Sequence, residues 1–283
     1  MKKRLLTVIL AGCMVLSMAA CSKKTTTETT AESTTATTAA ETTTAAPETT
    51  EAAKTTFTVG FDQDFPPMGF VGDDGEYTGF DLELAAEVAK RLGLEFVPQP
   101  IAWDSKDMEL NSGNIDCIWN GFTINGREDD YTWTTPYMEN DQVFVVAADS
   151  GITSWDDLAG KTVEVQADSS AEKALQEYPD LTAKFGALQT TPDYNTAFMD
   201  LEMGSIDAIA MDVIVAGYQI EQRDADFVIL EEPLAAEEYG IGFKLDNEEL
   251  RDQVQGALEE MAADGTMKAV SEKWFGTDVT TIW

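Results

Sequence analysis

The sequence contains no histidine and only three cysteines among its 283 residues. Histidine is the commonest general base near neutral pH and a frequent zinc ligand, so its absence removes the usual machinery of many hydrolases and zinc sites. Cys13 and Cys21 lie close to the start, which leaves Cys117 alone in the rest of the chain. This excludes a disulfide within one chain and a cysteine-rich metal site, and we expect Cys117 to be a buried small apolar side chain.

Basic residues are also scarce, with 18 Lys and Arg against 52 Asp and Glu and a formal net charge of −34. Such a chain repels phosphates and anionic lipids, which argues against binding nucleic acid or lying flat on a membrane. A phosphate-binding glycine loop, a G-x-S-x-G motif and spaced metal ligands are missing as well, and we expect no cofactor. The hydrophobic fraction of 43% is enough for one large or two medium domains.

The first 20 residues read as a secretory signal, since a basic start (MKKR) precedes an apolar stretch that is too short for a stable membrane span. Small residues directly before Cys21 resemble the lipobox of bacterial lipoproteins, which implies a diacylglycerol on this thiol after cleavage. Cys13 fits the same pattern but leaves a much shorter apolar region, so Cys21 is preferred. The alternative is an ordinary signal with an incidental cysteine.

Residues 21–56 follow as a segment of Thr, Ala and Glu in which no aliphatic side chain is larger than alanine. Such a composition cannot offset the entropy of ordering, so we expect a disordered tether with a reach of about 30 Å. Together with a lipid on Cys21 it predicts an extracytoplasmic protein anchored to the cell membrane.

From Phe57 onward, strands and helices alternate, which predicts an α/β fold with parallel strands. Residues 81–92 show apolar spacings of three and four, and Gly93 is a natural stop for that helix. The other predicted helices are 104–112, 169–178, 191–204 with Pro192 at its first position, 213–222, 247–263 and 266–274. The predicted strands are 57–59, 94–97, 115–119, 162–166, 206–211 and 239–243, with an apolar segment at 227–230.

An internal echo indicates two similar lobes, because GNIDCI at 113–118 returns as GSIDAI at 204–209. Each copy is a helix-ending glycine that leads into an apolar strand. In open α/β sheets, ligands bind beyond the carboxyl ends of the strands. The residues that follow the predicted strands there are Asp62, Phe65, Asn120, Gly121, Thr123, Arg127, Asp168, Ser169, Ser170 and Asp212.

These side chains suit a zwitterion. Arg127 can hold a carboxylate through two parallel hydrogen bonds, and Asp212 can accept from an ammonium. Phe65 and Trp103 could enclose the side chain of such a ligand between aromatic faces. The sequence therefore predicts a small polar solute bound between the two lobes.

Several motifs in the same order resemble the bacterial extracellular solute-binding proteins of family 3, which serve polar amino acid ABC importers. They are VGFDQDFPP at 59–67, GFDL at 79–82, WDS at 103–105, GNIDCI at 113–118, FTI at 122–124, PY at 136–137, VQADSS at 165–170, DGT at 264–266 and KWFG at 273–276. The resemblance covers residues 57–276. It implies a two-lobe periplasmic-binding-protein-like fold of type II, in which each lobe is a mostly parallel sheet flanked by helices.

The resemblance also implies a two-strand hinge, with crossings near residues 142–148 and 238–243. The first lobe would comprise residues 57–144 and 240–283, and the second 145–239. Arg127 would bind the α-carboxylate and Asp212 the α-ammonium of an amino acid. Phe122 lies in a matched motif and completes the candidate set.

The implied protein is a monomer that delivers its ligand to an ABC transporter permease. Three positions depart from the family: the loop from Thr123 to Arg127 is one residue shorter, Asn120 replaces serine or glycine, and Asp168 replaces glycine. Two alternatives stay open. One is a dehydratase-like enzyme of the same fold, with Asp62 or Asp168 as general acid. The other is a sensor that presents its ligand to a membrane receptor.

Overall fold

The structure is a computed structural model that describes residues 54–223 and 226–282. The predicted signal, Cys21 and nearly all of the tether lie outside the described residues. The first strand begins at Thr56, one residue before the predicted start of the globular part. None of the described helices is both long and apolar enough to cross a membrane.

Thirteen strands and eight α-helices make up the described part of the chain. The strands are β1 (Thr56–Phe61), β2 (Asp64–Phe65), β3 (Gly69–Val71), β4 (Tyr77–Thr78), β5 (Glu95–Pro100), β6 (Cys117–Thr123), β7 (Thr132–Trp133), β8 (Met138–Ala147), β9 (Thr162–Gln166), β10 (Ala187–Thr191), β11 (Ala208–Asp212), β12 (Phe227–Ile229) and β13 (Ala235–Phe243). The helices are α1 (Phe80–Leu92), α2 (Lys106–Ser112), α3 (Ser170–Gln176), α4 (Pro179–Thr182), α5 (Tyr194–Glu202), α6 (Val213–Gln222), α7 (Glu248–Asp264) and α8 (Thr266–Phe275). Short 3-10 turns cover Trp103–Ser105 and Trp155–Leu158.

The strands follow the order β10-β9-β11-β8-β13-β6-β1-β5, with β12 and β7 pairing beside this path. Strands β1, β5 and β6 are parallel and form the first lobe, and β9, β10 and β11 are parallel and form the second. Between them, β8 and β13 run antiparallel to each other. The predicted α/β fold with two lobes and a two-strand hinge is confirmed.

The hinge strands pair over residues 138–142 and 235–239, a few residues before the predicted crossings. From Gln142 onward, β8 pairs with β11 of the second lobe. From Tyr239 onward, β13 pairs with β6 of the first lobe. The predicted crossings at 142–148 and 238–243 therefore cover mainly the parts of β8 and β13 that pair within the lobes, and the observed crossing lies a few residues earlier in each strand.

The end of helix α1 follows from its local sequence. Its apolar residues are buried on one face, and Gly93 ends it in the left-handed conformation that glycine adopts without strain. The strand at 162–166 and the helix at 213–222 match the prediction residue for residue. Cys117 is fully buried in the main hydrophobic core, as expected.

The predicted helix at 191–204 is wrong at its start. Residues Ala187–Thr191 form the strand β10 instead, and Pro192 lies before the helix cap. The cap is Asp193, whose carboxylate accepts a hydrogen bond of 2.7 Å from the backbone N–H of Thr196. A polar edge strand such as β10 carries no apolar alternation, so the sequence pattern could not distinguish it from a loop.

Candidate ligand-binding cleft

A small cavity lies where the two lobes meet. Its lining residues come from the carboxyl ends of strands in both lobes and from the turns that follow them: Phe65, Trp103, Asn120, Gly121, Thr123, Arg127, Gln166, Ser169, Ser170 and Asp212. All of these except Gln166 belong to the predicted set. Asp62, Phe122 and Asp168 are close by but do not line the cavity.

Asp212 ends strand β11 and is almost fully buried. Its Oδ1 accepts hydrogen bonds from the hydroxyl of Tyr239 at 2.6 Å, the Nε2 of Gln142 at 2.8 Å and the Nδ2 of Asn140 at 3.0 Å. Burial, followed by the nearby carboxylate of Glu237, raises the pKa of Asp212 well above its usual value. The second lobe thus contributes a buried carboxylate with neutral partners.

Arg127 is the cation of the cavity and is 7% exposed. Its Nη1 donates to the carbonyl of Thr123 at 3.2 Å, and its guanidinium lies over the ring of Phe122 at 5.3 Å. No carboxylate of the described residues lies within salt-bridge distance of this guanidinium, so its charge is available to a ligand anion. The loop from Thr123 to Arg127, although short, is long enough to bring the side chain to the cavity.

Two aromatic side chains line the cavity on the first lobe. Phe65 packs on Tyr194 at a ring distance of 6.0 Å, and Trp103 meets Phe122 edge-to-face at 5.5 Å. Phe122 itself is fully buried behind the cavity wall, where it supports both Trp103 and Arg127. Its part is therefore structural support for residues that line the cavity.

Gly121 brings the backbone of β6 to the cavity in a conformation that other residues rarely adopt, with φ of 56°. A Cβ at this position would lie 3.0 Å from Cε1 of Phe65. The buried carboxylate of Asp81 fixes this part of β6, because it accepts hydrogen bonds from the N–H of Gly121 at 2.7 Å and from the hydroxyl of Tyr137 at 2.9 Å. Burial raises the pKa of Asp81 to about 7.

The Asp62 carboxylate is occupied by the protein. Its Oδ2 accepts from the Nε2 of Gln166 in the second lobe at 2.6 Å, and its Oδ1 accepts from the N–H of Asp64 at 2.9 Å. Burial raises the pKa of Asp62 to about 6. This predicted ligand contact therefore joins the lobes beside the cavity.

Asp168 has a left-handed backbone with φ of 58°, which explains why glycine suits this position. Its carboxylate pairs with Lys106 of the first lobe, and the same ammonium reaches the carbonyl of Asp168 at 3.1 Å. Lys106 is 2% exposed, and burial lowers its pKa. Asp168, at the position where the family usually has glycine, thus forms a charge pair with Lys106 across the cleft.

Other hydrogen bonds also link the lobes. The hydroxyls of Thr123 and Ser170 are 3.1 Å apart, and Asn195 donates to Asp64 at 2.8 Å. Ser169 caps α3 by accepting from the N–H of Glu172 at 3.1 Å, so it serves the helix as well as the cavity.

Three buried polar atoms around the cavity have no hydrogen-bond partner within the described residues: Asn120 Nδ2, Gln142 Oε1 and Tyr194 Oη. Buried polar groups are normally paired. Asn120 lines the cavity, Gln142 donates to Ser170 and Asp212, and Tyr194 packs on Phe65. A polar ligand is the kind of molecule that would complete such a set.

Several side chains that shape this site were not predicted from the sequence. Asn140, Gln142, Glu237 and Tyr239 come from the hinge strands, and Gln166 ends β9. The available signal was the polar run ENDQ at 139–142, which leads into the predicted crossing, since alternate residues of a strand share one face and Asn140 therefore lies on the same face as Gln142. Lys106 gave no such signal, because its burial depends on the opposite lobe.

A two-lobed α/β fold with a charged cavity at the junction, lined from strand ends of both lobes, defines a binding protein for a small polar solute. Residues 57–277 match the family described as bacterial extracellular solute-binding proteins, family 3, and the chain belongs to this family.

Three similar proteins illustrate the family. The chain is 36% identical to the L-cystine-binding protein TcyJ of Escherichia coli (strain K12), with 80% of this chain and 84% of that protein covered. A crystal structure of an ABC uptake transporter substrate-binding protein from Streptococcus pneumoniae with bound histidine has a TM-score of 0.77 and 36% identity, covering 80% of this chain and 94% of the other. The ancestral amino acid-binding protein AncCDT-1, a precursor of cyclohexadienyl dehydratase, has a TM-score of 0.71 and 31% identity over 78% and 95% of the two chains.

Proposed function

We propose that the protein captures a polar amino acid outside the cytoplasm and delivers it to the permease of an ABC importer. One observation carries this proposal: Arg127 of the first lobe and Asp212 of the second line the same small cavity. A guanidinium that no described carboxylate occupies and a buried carboxylate with neutral partners together match the α-carboxylate and α-ammonium of an amino acid. The ligands in the names of the similar proteins are amino acids of this kind.

The lobes close on the ligand by movement at the hinge strands β8 and β13. Each lobe supplies one charged half of the site, so a zwitterion binds the closed arrangement better than either lobe alone and shifts the population toward it. The hydrogen bonds between Thr123 and Ser170 and between Gln166 and Asp62 then hold the lobes together. The closed pair of lobes is the form that the permease recognises.

The leader fits this role. A lipid on Cys21 and a tether that ends near Thr56 keep a soluble binding domain close to the membrane. The measurement that tests this part is mass spectrometry of the mature N-terminus, which should show a diacylglyceryl cysteine. An unmodified Cys21 would refute the anchor without affecting the binding site.

The binding proposal is tested by isothermal titration calorimetry with L-cystine, L-histidine, L-arginine and L-glutamine. We expect tight binding of at least one. Arg127→Ala and Asp212→Asn should each weaken it at least tenfold, because each leaves one ligand charge without its partner, a loss of about 2–5 kcal/mol. Thr135→Ala, at an exposed position that does not line the cavity, is the control. Unchanged affinity in both site variants would refute the assignment, and scattering profiles that show no compaction at saturation would refute the closure.

A dehydratase-like enzyme is the second candidate function, and it is supported by the similarity to AncCDT-1, a precursor of cyclohexadienyl dehydratase. The acids it would use, Asp62 and Asp168, do not line the cavity and are paired with Gln166 and Lys106. Analysis of the bound amino acid after prolonged incubation separates the two: unchanged ligand supports binding alone, and consumption indicates an enzyme. A sensor would share the binding site, and co-purification with a permease rather than a receptor distinguishes transport.

A further inference from the structure

Two carboxylates lie side by side at the hinge end of the cavity. The Nδ2 of Asn140 is 3.0 Å from Oδ1 of Asp212 and 2.7 Å from Oε1 of Glu237. The Nε2 of Gln142 is 2.8 Å and 2.7 Å from the same two oxygens. Because two amide groups each serve both acids, the oxygens of Asp212 and Glu237 must be close neighbours.

Both acids are buried, with exposed fractions of 3% for Asp212 and 6% for Glu237. Neither forms a salt bridge among the described residues, and their hydrogen-bond donors are the neutral amides of β8 and the hydroxyl of Tyr239. Two such carboxylates are not both ionised at low cost unless a cation joins them.

The surroundings supply little positive charge. Tyr194 of α5 and Tyr239 of β13 face Asp212, and both are phenols whose pKa burial raises. The hinge surface beside Glu237 carries three further acids, Glu139, Asp141 and Glu238. Arg127 is the cation that shares the cavity with Asp212, and its charge belongs to the ligand carboxylate in the proposed function.

We propose that Glu237 is a positioning residue of the ammonium subsite: its carboxyl group, held beside Asp212 by Asn140 and Gln142, keeps a proton on Asp212, and the ammonium of the ligand displaces that proton. This inference rests on the proposed function and adds a second acid to it. In the step, the O–H bond of the Asp212 carboxyl group breaks and the proton passes to water or buffer. The ammonium keeps its three N–H bonds and becomes the cation that faces the Asp212 carboxylate in the cavity.

Glu237 acts on Asp212 from behind the cavity wall. Glu237 and Asn140 line a groove on the hinge surface, which is separate from the cavity that Asp212 lines. The ammonium of the ligand therefore faces Asp212, and Glu237 affects it through Asp212. Affinity for an amino acid should rise with pH, about tenfold per unit, until Asp212 loses its proton without a ligand.

The wild-type test is calorimetry with the tightest-binding amino acid of the panel L-cystine, L-histidine, L-arginine and L-glutamine. Each titration is run in phosphate and in Bis-Tris, whose ionisation enthalpies differ, so the difference in observed enthalpy counts the protons released. We expect the release to approach one proton per ligand as the pH falls from 8 to 5. Release of no proton anywhere between pH 5 and 8 would overturn the proposal.

The decisive variant is Glu237→Gln, which keeps the size of the side chain and can still accept from Asn140. It should release fewer protons, and the pH at which affinity declines should move lower. Glu238→Gln is the matched control, since it removes one charge from the exposed side of the same strand and should behave as wild type. Circular dichroism establishes that both variants fold. Identical proton release by Glu237→Gln and wild type would also overturn the inference.

A failure of the proposed function and a failure of the proposed role of Glu237 give different results in these experiments. If no amino acid binds at any pH, the proposed function is wrong. If an amino acid binds and Asp212→Asn weakens it, yet no proton is released, only the role of Glu237 is wrong.

Discussion

The stability of an Asp81→Asn variant relative to the wild type should increase as the pH rises toward neutral, although the substitution removes a carboxylate that supports the binding site. The Asp81 side chain is fully buried, and burial raises its pKa from the ordinary 3.8 to about 7. The folded state therefore binds this proton more tightly than the unfolded chain does. The stability from this group is present below pH 3.8 and is lost as the pH rises to about 7.

The magnitude follows from the same two values. Each unit of pKa difference corresponds to about 1.4 kcal/mol, so the wild type loses about 4 kcal/mol from this group across the interval. Asparagine carries no charge to desolvate, and its side-chain oxygen can accept from the N–H of Gly121 and the hydroxyl of Tyr137 as the carboxylate does. Between pH 4 and pH 7 the unfolding free energy of the variant should therefore rise by about 4 kcal/mol relative to that of the wild type.

The assay is urea unfolding of both proteins at half-unit steps from pH 3.5 to 8. Other buried acids titrate in the same direction, so the quantity to compare is the difference between the two proteins rather than either curve alone. Asp73→Asn in an exposed turn changes the net charge equally and should follow the wild type. A difference between Asp81→Asn and wild type that does not change with pH would refute the reasoning.

Two further substitutions should weaken stability or binding. Asp264 accepts hydrogen bonds from Thr266 and Arg91, which lowers its pKa to about 2. Asp264→Ala should therefore reduce the unfolding free energy above pH 4, and the two proteins should become equally stable near pH 2; a lower stability of the variant that persists at pH 2 would contradict this. Lys106→Met keeps the apolar stem beside Trp103 but removes the pair with Asp168 across the cleft, so the dissociation constant for the amino acid should rise about threefold to tenfold in calorimetry. A dissociation constant equal to that of wild type would show that this pair does not favour closure.

Most of the fold could be predicted because its signals are local. The helix at 213–222 and the strand at 162–166 follow from apolar periodicity, and Gly93 ends α1 through its own backbone freedom. The edge strand β10 escaped prediction, since its hydrogen bonds to β9 involve the backbone and leave no pattern in its side chains. The short strands β2, β3 and β4 are too brief to show an alternation.

The candidate site divides in the same way. Residues at the ends of strands or a few residues beyond them, such as Arg127, Ser170 and Asp212, were predictable, because the carboxyl ends of parallel strands meet at one edge. Glu237 was not, since it comes from a hinge strand and meets Asp212 only because β8 pairs with both β13 and β11. Asp168 was predicted, but as a ligand contact. Its pairing with Lys106 depends on the distance between the lobes, which a linear pattern does not contain.

The sequence by itself determined the two-lobe architecture, the chemical character of the ligand site and the absence of histidine and cysteine chemistry, since each of these depends on residue type and local spacing. The tertiary structure alone decided which charges face the cavity and which face each other. Coulombic pairing and burial act through space, so the partners of Asp62, Lys106, Asp212 and Glu237 exist only once both lobes and both hinge strands are in place.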